Sequence, residues 1–242
     1  MYYCFPDIHQ LQSNLAYVQT LPLVSTRGHF NLDNGKLVGE RNPTDYDAFD
    51  IPGLQPGTSY PNEAVIYVHR VWTGKGSFLA NLENETGVFN TARLSLSANY
   101  YSIPVIGFSW DSNSTITPNG IGWSIAKAIA ENNGPKLAHF MLDYKITCPD
   151  TDIRVIAHSL GAKVILNALL EFTNNPLWNS SSSSSSSNFK IESAHLMGAA
   201  VDNEQVSIGP VDTDYPREII CGRSIESQVP RFYNFLTDKT MH

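Results

Sequence analysis

The sequence predicts an α/β fold, a three-layer sandwich with a mostly parallel central sheet, built as one domain over residues 1–242. Three observations carry this. Short runs that are apolar throughout recur along the chain, as expected of strands covered on both faces. Longer runs with apolar residues at three- and four-residue steps lie between them, as expected of helices. The alternation holds from residue 63 to residue 238, which is the core of the domain, whereas residues 1–60 are irregular and rich in Pro and Gly.

The elements follow in chain order. Leu23–Phe30 and Lys36–Arg41 read as short antiparallel edge strands, followed by the turn-forming Ile51–Pro52–Gly53 and Gln55–Pro56–Gly57. Val65–His69 is a buried strand. Ser77–Asn99 is helical, with Phe78, Leu79, Leu82, Phe89, Ala92 and Leu96 on its apolar side. Pro104–Trp110 is a second buried strand. Ile121–Lys145 is a long helix that Gly134–Pro135 is expected to break or kink. Asp152–His158 is a third strand, and Leu160–Phe172 is a helix apolar almost all round, hence buried. Ser180–Ser187 is a flexible serine loop that cannot contribute to a core. Ile191–Val201 and Arg231–Leu236 are the last strands.

Composition limits the function. The 242 residues, 42% of them apolar, suffice for a sizeable core. The longest apolar stretches, such as Val164–Leu170 interrupted by Asn167, are too short to span a bilayer, so no transmembrane segment is expected. Sixteen basic against 23 acidic residues give a net charge of −7, which argues against a basic nucleic-acid binder. Three cysteines cannot staple a small fold, and the pairing of Cys148 with Cys221 stays open. The low share of charged residues, 16%, and the N-x-S/T triplets at Asn84, Asn113 and Asn179 lean weakly toward export. Met1–Gln10 shows neither a basic start nor an apolar run, so no signal peptide is visible. Localisation and oligomeric state are left unassigned.

The motif that carries chemistry is Ala157–His158–Ser159–Leu160–Gly161, between a strand and an apolar helix. A serine nucleophile needs such a place. A sharp strand-to-helix turn projects its hydroxyl, and small residues two before and two after keep Cβ atoms out of the turn. The helix N-terminus then faces the site, where its dipole and N–H groups favour a developing oxyanion. The Leu160 N–H would be one donor. The bland alternative is a serine N-cap on a core helix.

The elbow AHSLGA (Ala157–Ala162), the strand ending VHRVW (Val68–Trp72) and the strand end FSW (Phe108–Trp110) together resemble the α/β-hydrolase superfamily, in its lipase/esterase-like branch. No H-E-x-x-H, C-x-x-C or G-x-G-x-x-G motif occurs, so no metal or cofactor is expected. The resemblance implies an acyl hydrolase that takes a small-molecule ester and uses Ser159 as nucleophile. It implies a second oxyanion donor after the VH strand, at the Val71 N–H. Many members have glycine where Arg70 stands, so the oxyanion loop departs from the pattern. The resemblance also implies an acid after a late strand. Asp238 holds the preferred place and Asp202 is the alternative. Trp72 and Trp110, at strand ends, are expected to line the cleft.

The histidine is unassigned. Of His9, His29, His69, His139, His158, His195 and His242, only His242 follows Asp238. His158 should point away from the serine, His195 lies within a strand, and His69 should brace its loop. The expectation is therefore a fold incomplete at its C-terminus, cut off before its base, and a feeble esterase. A catalytically impaired binding domain, or an acyltransferase or peptidase on the same fold, are the alternatives. Thr73–Gly74–Lys75–Gly76 lacks the spacing of a phosphate cradle and reads as a flexible loop.

Overall fold

The computed structural model describes residues 21–74, 85–114, 121–179, 189–201 and 232–235. Its strands are β1 (Leu23–Ser25), β2 (Asp47–Phe49), β3 (Glu63–Val68), β4 (Val105–Ser109), β5 (Asp152–His158), β6 (Ile191–Met197) and β7 (Phe232–Phe235). Its helices are α1 (Glu85–Ala98), α2 (Ile121–Thr147), α3 (Gly161–Asn174) and the short α4 (Pro176–Asn179). The strands form one open sheet in the order β2-β1-β4-β3-β5-β6-β7. All neighbouring pairs are parallel except β1 with β2.

Alternation along the strands builds the three layers. Ala64, Ile66 and Val68 of β3 point to the side where Ile129 and Phe140 of α2 and Leu166 of α3 complete the main core. Val65 and Tyr67 point to the other side, where Phe89 and Leu96 of α1 pack. Gly107 in β4 is what admits Phe89, because a Cβ there would lie 2.6 Å from the ring. On this second face a polar chain also crosses the sheet. Tyr101 and Arg154 both bond Glu63, Arg154 reaches Ser193 at 3.1 Å, and Ser193 Oγ lies 3.0 Å from His195 Nε2. His195 is thus a partnered strand histidine, as its position predicts.

Several boundaries differ from expectation. The first edge hairpin shrinks to one antiparallel bridge, Phe30 with Leu37, and the strand that pairs antiparallel with β1 is Asp47–Phe49. The reason lies in polar side chains. The Asp111 carboxylate accepts the N–H groups of Gly28 (2.9 Å) and Phe30 (2.8 Å), bending the chain away from a ladder. The long helix is not broken: α2 runs 27 residues straight through Pro135. Gly134 explains why it holds. A Cβ there would lie 2.4 Å from Asn167 Cβ and 2.7 Å from its carbonyl carbon, so α2 and α3 touch backbone to backbone. Lys163 and Glu131 clasp the same crossing at 2.8 Å. The strand expected over Ile191–Val201 ends at Met197, where Gly198 turns with φ +52°. Residues 77–84, the serine loop and the ends of the last strand lie outside the described residues.

No described helix is long and apolar enough to cross a membrane. From β3 the chain crosses to β4 on one side and then to β5 on the other, so β3 and β5 flank a topological switch point. The carboxyl ends of such a strand pair are where open α/β sheets form their ligand crevice.

Candidate active site

Ser159 stands at the carboxyl end of β5, between that strand and α3. Its φ is +52°, in the left-handed region. For a residue with a Cβ this conformation costs roughly 1–2 kcal/mol, and it persists only where the surroundings over-determine it. They do so here. The Ser159 N–H donates to Met197 O at 3.0 Å, and its carbonyl accepts from Ala162 N–H and Ala200 N–H, each at 3.1 Å. The exit of β6 on one side and the first turn of α3 on the other therefore hold the turn. Ser159 is half-buried, and its hydroxyl has no hydrogen-bond partner among the described residues, as no side-chain cap closes α3.

Gly161 lets this turn sit against β3. A Cβ at Gly161 would lie 2.7 Å from both the Val68 and the His69 carbonyl oxygens. The elbow is thus seated on the end of β3, beside the loop His69–Thr73. Ala157 is fully buried.

That loop is held by side chains. The Trp72 N–H donates to Ser112 O at 2.8 Å. Thr73 N–H donates to Ser112 Oγ (3.2 Å), and Thr73 O accepts from Ser112 Oγ (3.1 Å) and Arg27 Nη2 (2.7 Å). The His69 carbonyl accepts from the Trp110 indole N–H at 3.0 Å. Thr73, expected in a flexible loop, is buried and tied. By contrast, the backbone N–H groups of Val71 and Leu160 donate to no acceptor among the described residues.

The departure at Arg70 also finds its account. Arg70 does not adopt positive φ. The left-handed residue of the loop is Trp72, with φ +58°. The turn that glycine would make is displaced two residues along the chain, at a position whose N–H is anchored. Trp72 is 42% exposed, and its ring lies 6.1 Å from that of Trp123 in the first turn of α2. Trp110 does not line a cleft. It is fully buried and stacks on His69, ring centroids 5.6 Å apart and 8° from parallel, because its indole N–H is drawn to the His69 carbonyl.

His69 is committed to this network. Its Nε2 accepts the Trp110 backbone N–H at 3.1 Å, and its Nδ1 faces the Arg70 carbonyl at 2.8 Å. Burial, then the nearby Arg27 charge, hold its pKa well below the ordinary value. It braces the loop, as its position predicts. His158, on the face of β5 that carries Ile156, is lowered by burial and by Arg70. Asp202, Asp238, His242 and Cys221 lie outside the described residues, and Cys148 is buried with no disulfide partner among the described residues. Sequence reasoning missed Arg27, Thr73 and Ser112. Each is a polar loop residue whose role is visible only through contacts across the fold.

Four histidines share one response to acid. His29, His69, His158 and His195 all have folded pKa values below 6.5, through burial first and then a neighbouring cation. As pH falls, the unfolded chain therefore takes up protons before the folded one. The stability these rings contribute is full above about pH 6.5 and is lost as pH falls through the folded values. Urea unfolding is expected to give a lower stability at pH 5.5 than at pH 7.5, with a shallower fall in His29→Gln. Equal stability at the two pH values would contradict it.

The family match agrees with this architecture. A family model described as "Alpha/beta hydrolase of unknown function (DUF900)" matches residues 78–208, more than half of the chain. No curated protein matches the sequence significantly. Among solved structures, an acetylxylan esterase determined at 0.90 Å resolution is 13% identical, with a TM-score of 0.41, covering 73% of this chain and 83% of that one. The catalytic core domain of acetyl xylan esterase from Trichoderma reesei is 14% identical, with a TM-score of 0.42, covering 73% and 84%. On the family match, the chain belongs to the DUF900 family of α/β hydrolases of unknown function.

Proposed function

We propose that this chain is a serine hydrolase that cleaves small carboxylic esters through an acyl-enzyme on Ser159. The single observation that carries the reading is the left-handed Ser159, held by the exit of β6 and the first turn of α3 and seated by Gly161 on the end of β3. A serine that merely capped a helix would have no need of that conformation, since N-caps take extended backbone and bond the N2 or N3 N–H. In this reading the Ser159 hydroxyl attacks the ester carbonyl. The carbonyl oxygen becomes an oxyanion that accepts hydrogen bonds from the Leu160 and Val71 N–H groups, and the alcohol leaves with the proton that a base took from serine. Water then hydrolyses the acyl-serine. The low-dielectric setting, with Val71 and Leu160 buried, strengthens both oxyanion contacts. Trp72, on the loop that follows β3, and Trp123, whose ring lies 6.1 Å away, offer an apolar wall for the ester's acyl or alcohol part.

Asp238 is the acid of this reading and Asp202 its rival. An acid that orients the base is worth about 10⁴-fold in kcat. Hydrolysis of p-nitrophenyl acetate should therefore fall by about that factor in Asp238→Asn and change little in Asp202→Asn. The reverse pattern assigns Asp202. His242→Ala is measured beside them: loss of activity makes His242 the base, and full activity excludes it. A chain that hydrolyses no p-nitrophenyl ester above the buffer rate would contradict the reading.

A further inference from the structure

We propose that Arg27 is a positioning residue for the oxyanion donor at Val71, acting through His69 to fix the direction of the Arg70–Val71 peptide. The inference rests on the serine-hydrolase reading above. Arg27 follows β1, far in sequence from the elbow, yet its guanidinium reaches across the sheet end to three groups. Its Nε donates to Ser109 Oγ at 2.8 Å, and its Nη2 donates to Thr73 O at 2.7 Å and lies 3.1 Å from His69 Nε2.

The proton on His69 follows from its partners. The Trp110 backbone N–H can only donate, and so can the guanidinium, so Nε2 must present its lone pair to both. The ring proton then sits on Nδ1 and is donated to the Arg70 carbonyl at 2.8 Å. Thr73 Oγ1 donates to the same carbonyl at 3.0 Å. Two donors thus fix the Arg70 C=O. The chain has no cis peptide bond among the described residues, and in a planar trans peptide the C=O and the following N–H point in opposite directions. Holding the Arg70 carbonyl therefore aims the Val71 N–H, the one N–H of Val71–Thr73 that has no acceptor among the described residues. Arg27 secures both ends of the device. It adds a second donor on Nε2, its charge opposes protonation of a ring that already stacks on Trp110, and it grips Thr73 O, whose own hydroxyl is the other donor. An imidazolium would keep the Nδ1–H but would put an Nε2–H against the Trp110 N–H and the guanidinium, pushing the ring off the seat from which it holds the carbonyl.

The test uses the full chain with p-nitrophenyl acetate. Losing one oxyanion donor outright costs about 10²–10³ in kcat. Misaiming it should cost less, so Arg27→Gln is expected to lower kcat by about 10- to 100-fold with KM within about twofold. Arg27→Lys, which cannot fork between Ser109, His69 and Thr73, should fall in the same range. A readout besides activity comes from ¹⁵N-histidine NMR near neutral pH. The His69 ring should show the Nδ1–H tautomer in the parent chain and a mixture with the protonated or Nε2–H form in Arg27→Gln. Thr73→Val removes one donor from the Arg70 carbonyl without touching the guanidinium. It should lower kcat in the same sense, and it carries the test if Arg27→Gln does not fold. Folded Arg27 variants with unchanged kcat and an unchanged His69 signature would overturn the inference while leaving Ser159 in place. Hydrolysis retained in Ser159→Ala would instead overturn the reading on which it rests.

Discussion

Ser159→Ala is expected to lower ester hydrolysis by about 10⁴-fold or more, toward the residual rate that oxyanion contacts and binding alone sustain. Stability should hardly change. Alanine keeps the Cβ, tolerates the left-handed turn at a cost similar to serine, and removes a hydroxyl that has no partner among the described residues. Ser159→Gly sharpens the contrast. Glycine adopts φ +52° without strain, which stabilises the folded turn by about 1 kcal/mol, and the greater freedom of the unfolded chain offsets part of it. A glycine variant that is at least as stable as the parent yet inactive would show a strained residue kept for chemistry. The measurement is a pair of assays on each variant, thermal unfolding and p-nitrophenyl acetate turnover. A serine serving only as a cap would give the opposite pattern, with stability lost and activity kept.

Gly134→Ala is expected to have the largest effect on stability. In an exposed helix this change gains about 1 kcal/mol. Here the new Cβ would lie 2.4–2.9 Å from Asn167 Cβ, Asn167 carbonyl carbon and Ala168 N, two of them backbone atoms that cannot swing aside. Overpacking of this kind costs about 1–3 kcal/mol and occasionally more. Against backbone atoms the clash lies at the upper end of that range, about 3 kcal/mol, so after the propensity gain of about 1 kcal/mol the net loss is about 2 kcal/mol. At this chain length that lowers Tm by roughly 4–8 °C. Gly161→Ala meets backbone oxygens in the same way, but beside the site. It should lose both stability and turnover, whereas Gly134→Ala should lose stability and keep its turnover per folded molecule. Equal Tm for Gly134→Ala and the parent would contradict the close approach of α2 and α3.

The sheet was legible because its strands are apolar on both faces. Val65–Val68, Val105–Ser109 and Ile153–Ala157 form strands as expected, and their ends shift by at most two residues. The strand-to-helix turn at Ser159 was legible because its demands are local: a small residue, a serine and a glycine between a strand and a helix. What escaped the sequence depends on partners far along the chain. Asp111 reaches back to bend Gly28 and Phe30, so the edge hairpin fails although its residues suit strands. Pro135 reads as a helix breaker, yet packing of Gly134 on α3 keeps the helix whole. Arg70 looked like a flaw in the oxyanion loop because glycine was expected there. The positive φ fell instead on Trp72, through its N–H bond to Ser112 and the grip of Arg27 on Thr73. No local pattern in the sequence announces those contacts.

The central claim is that Ser159 is an activated nucleophile. Incubation of the chain with a fluorophosphonate, followed by peptide mapping by mass spectrometry, tests it most directly. The account predicts one phosphonylated residue, Ser159, with no label in Ser159→Ala and slower labelling in Arg27→Gln. A chain that stays unlabelled, or that labels equally well after Ser159→Ala, would contradict it.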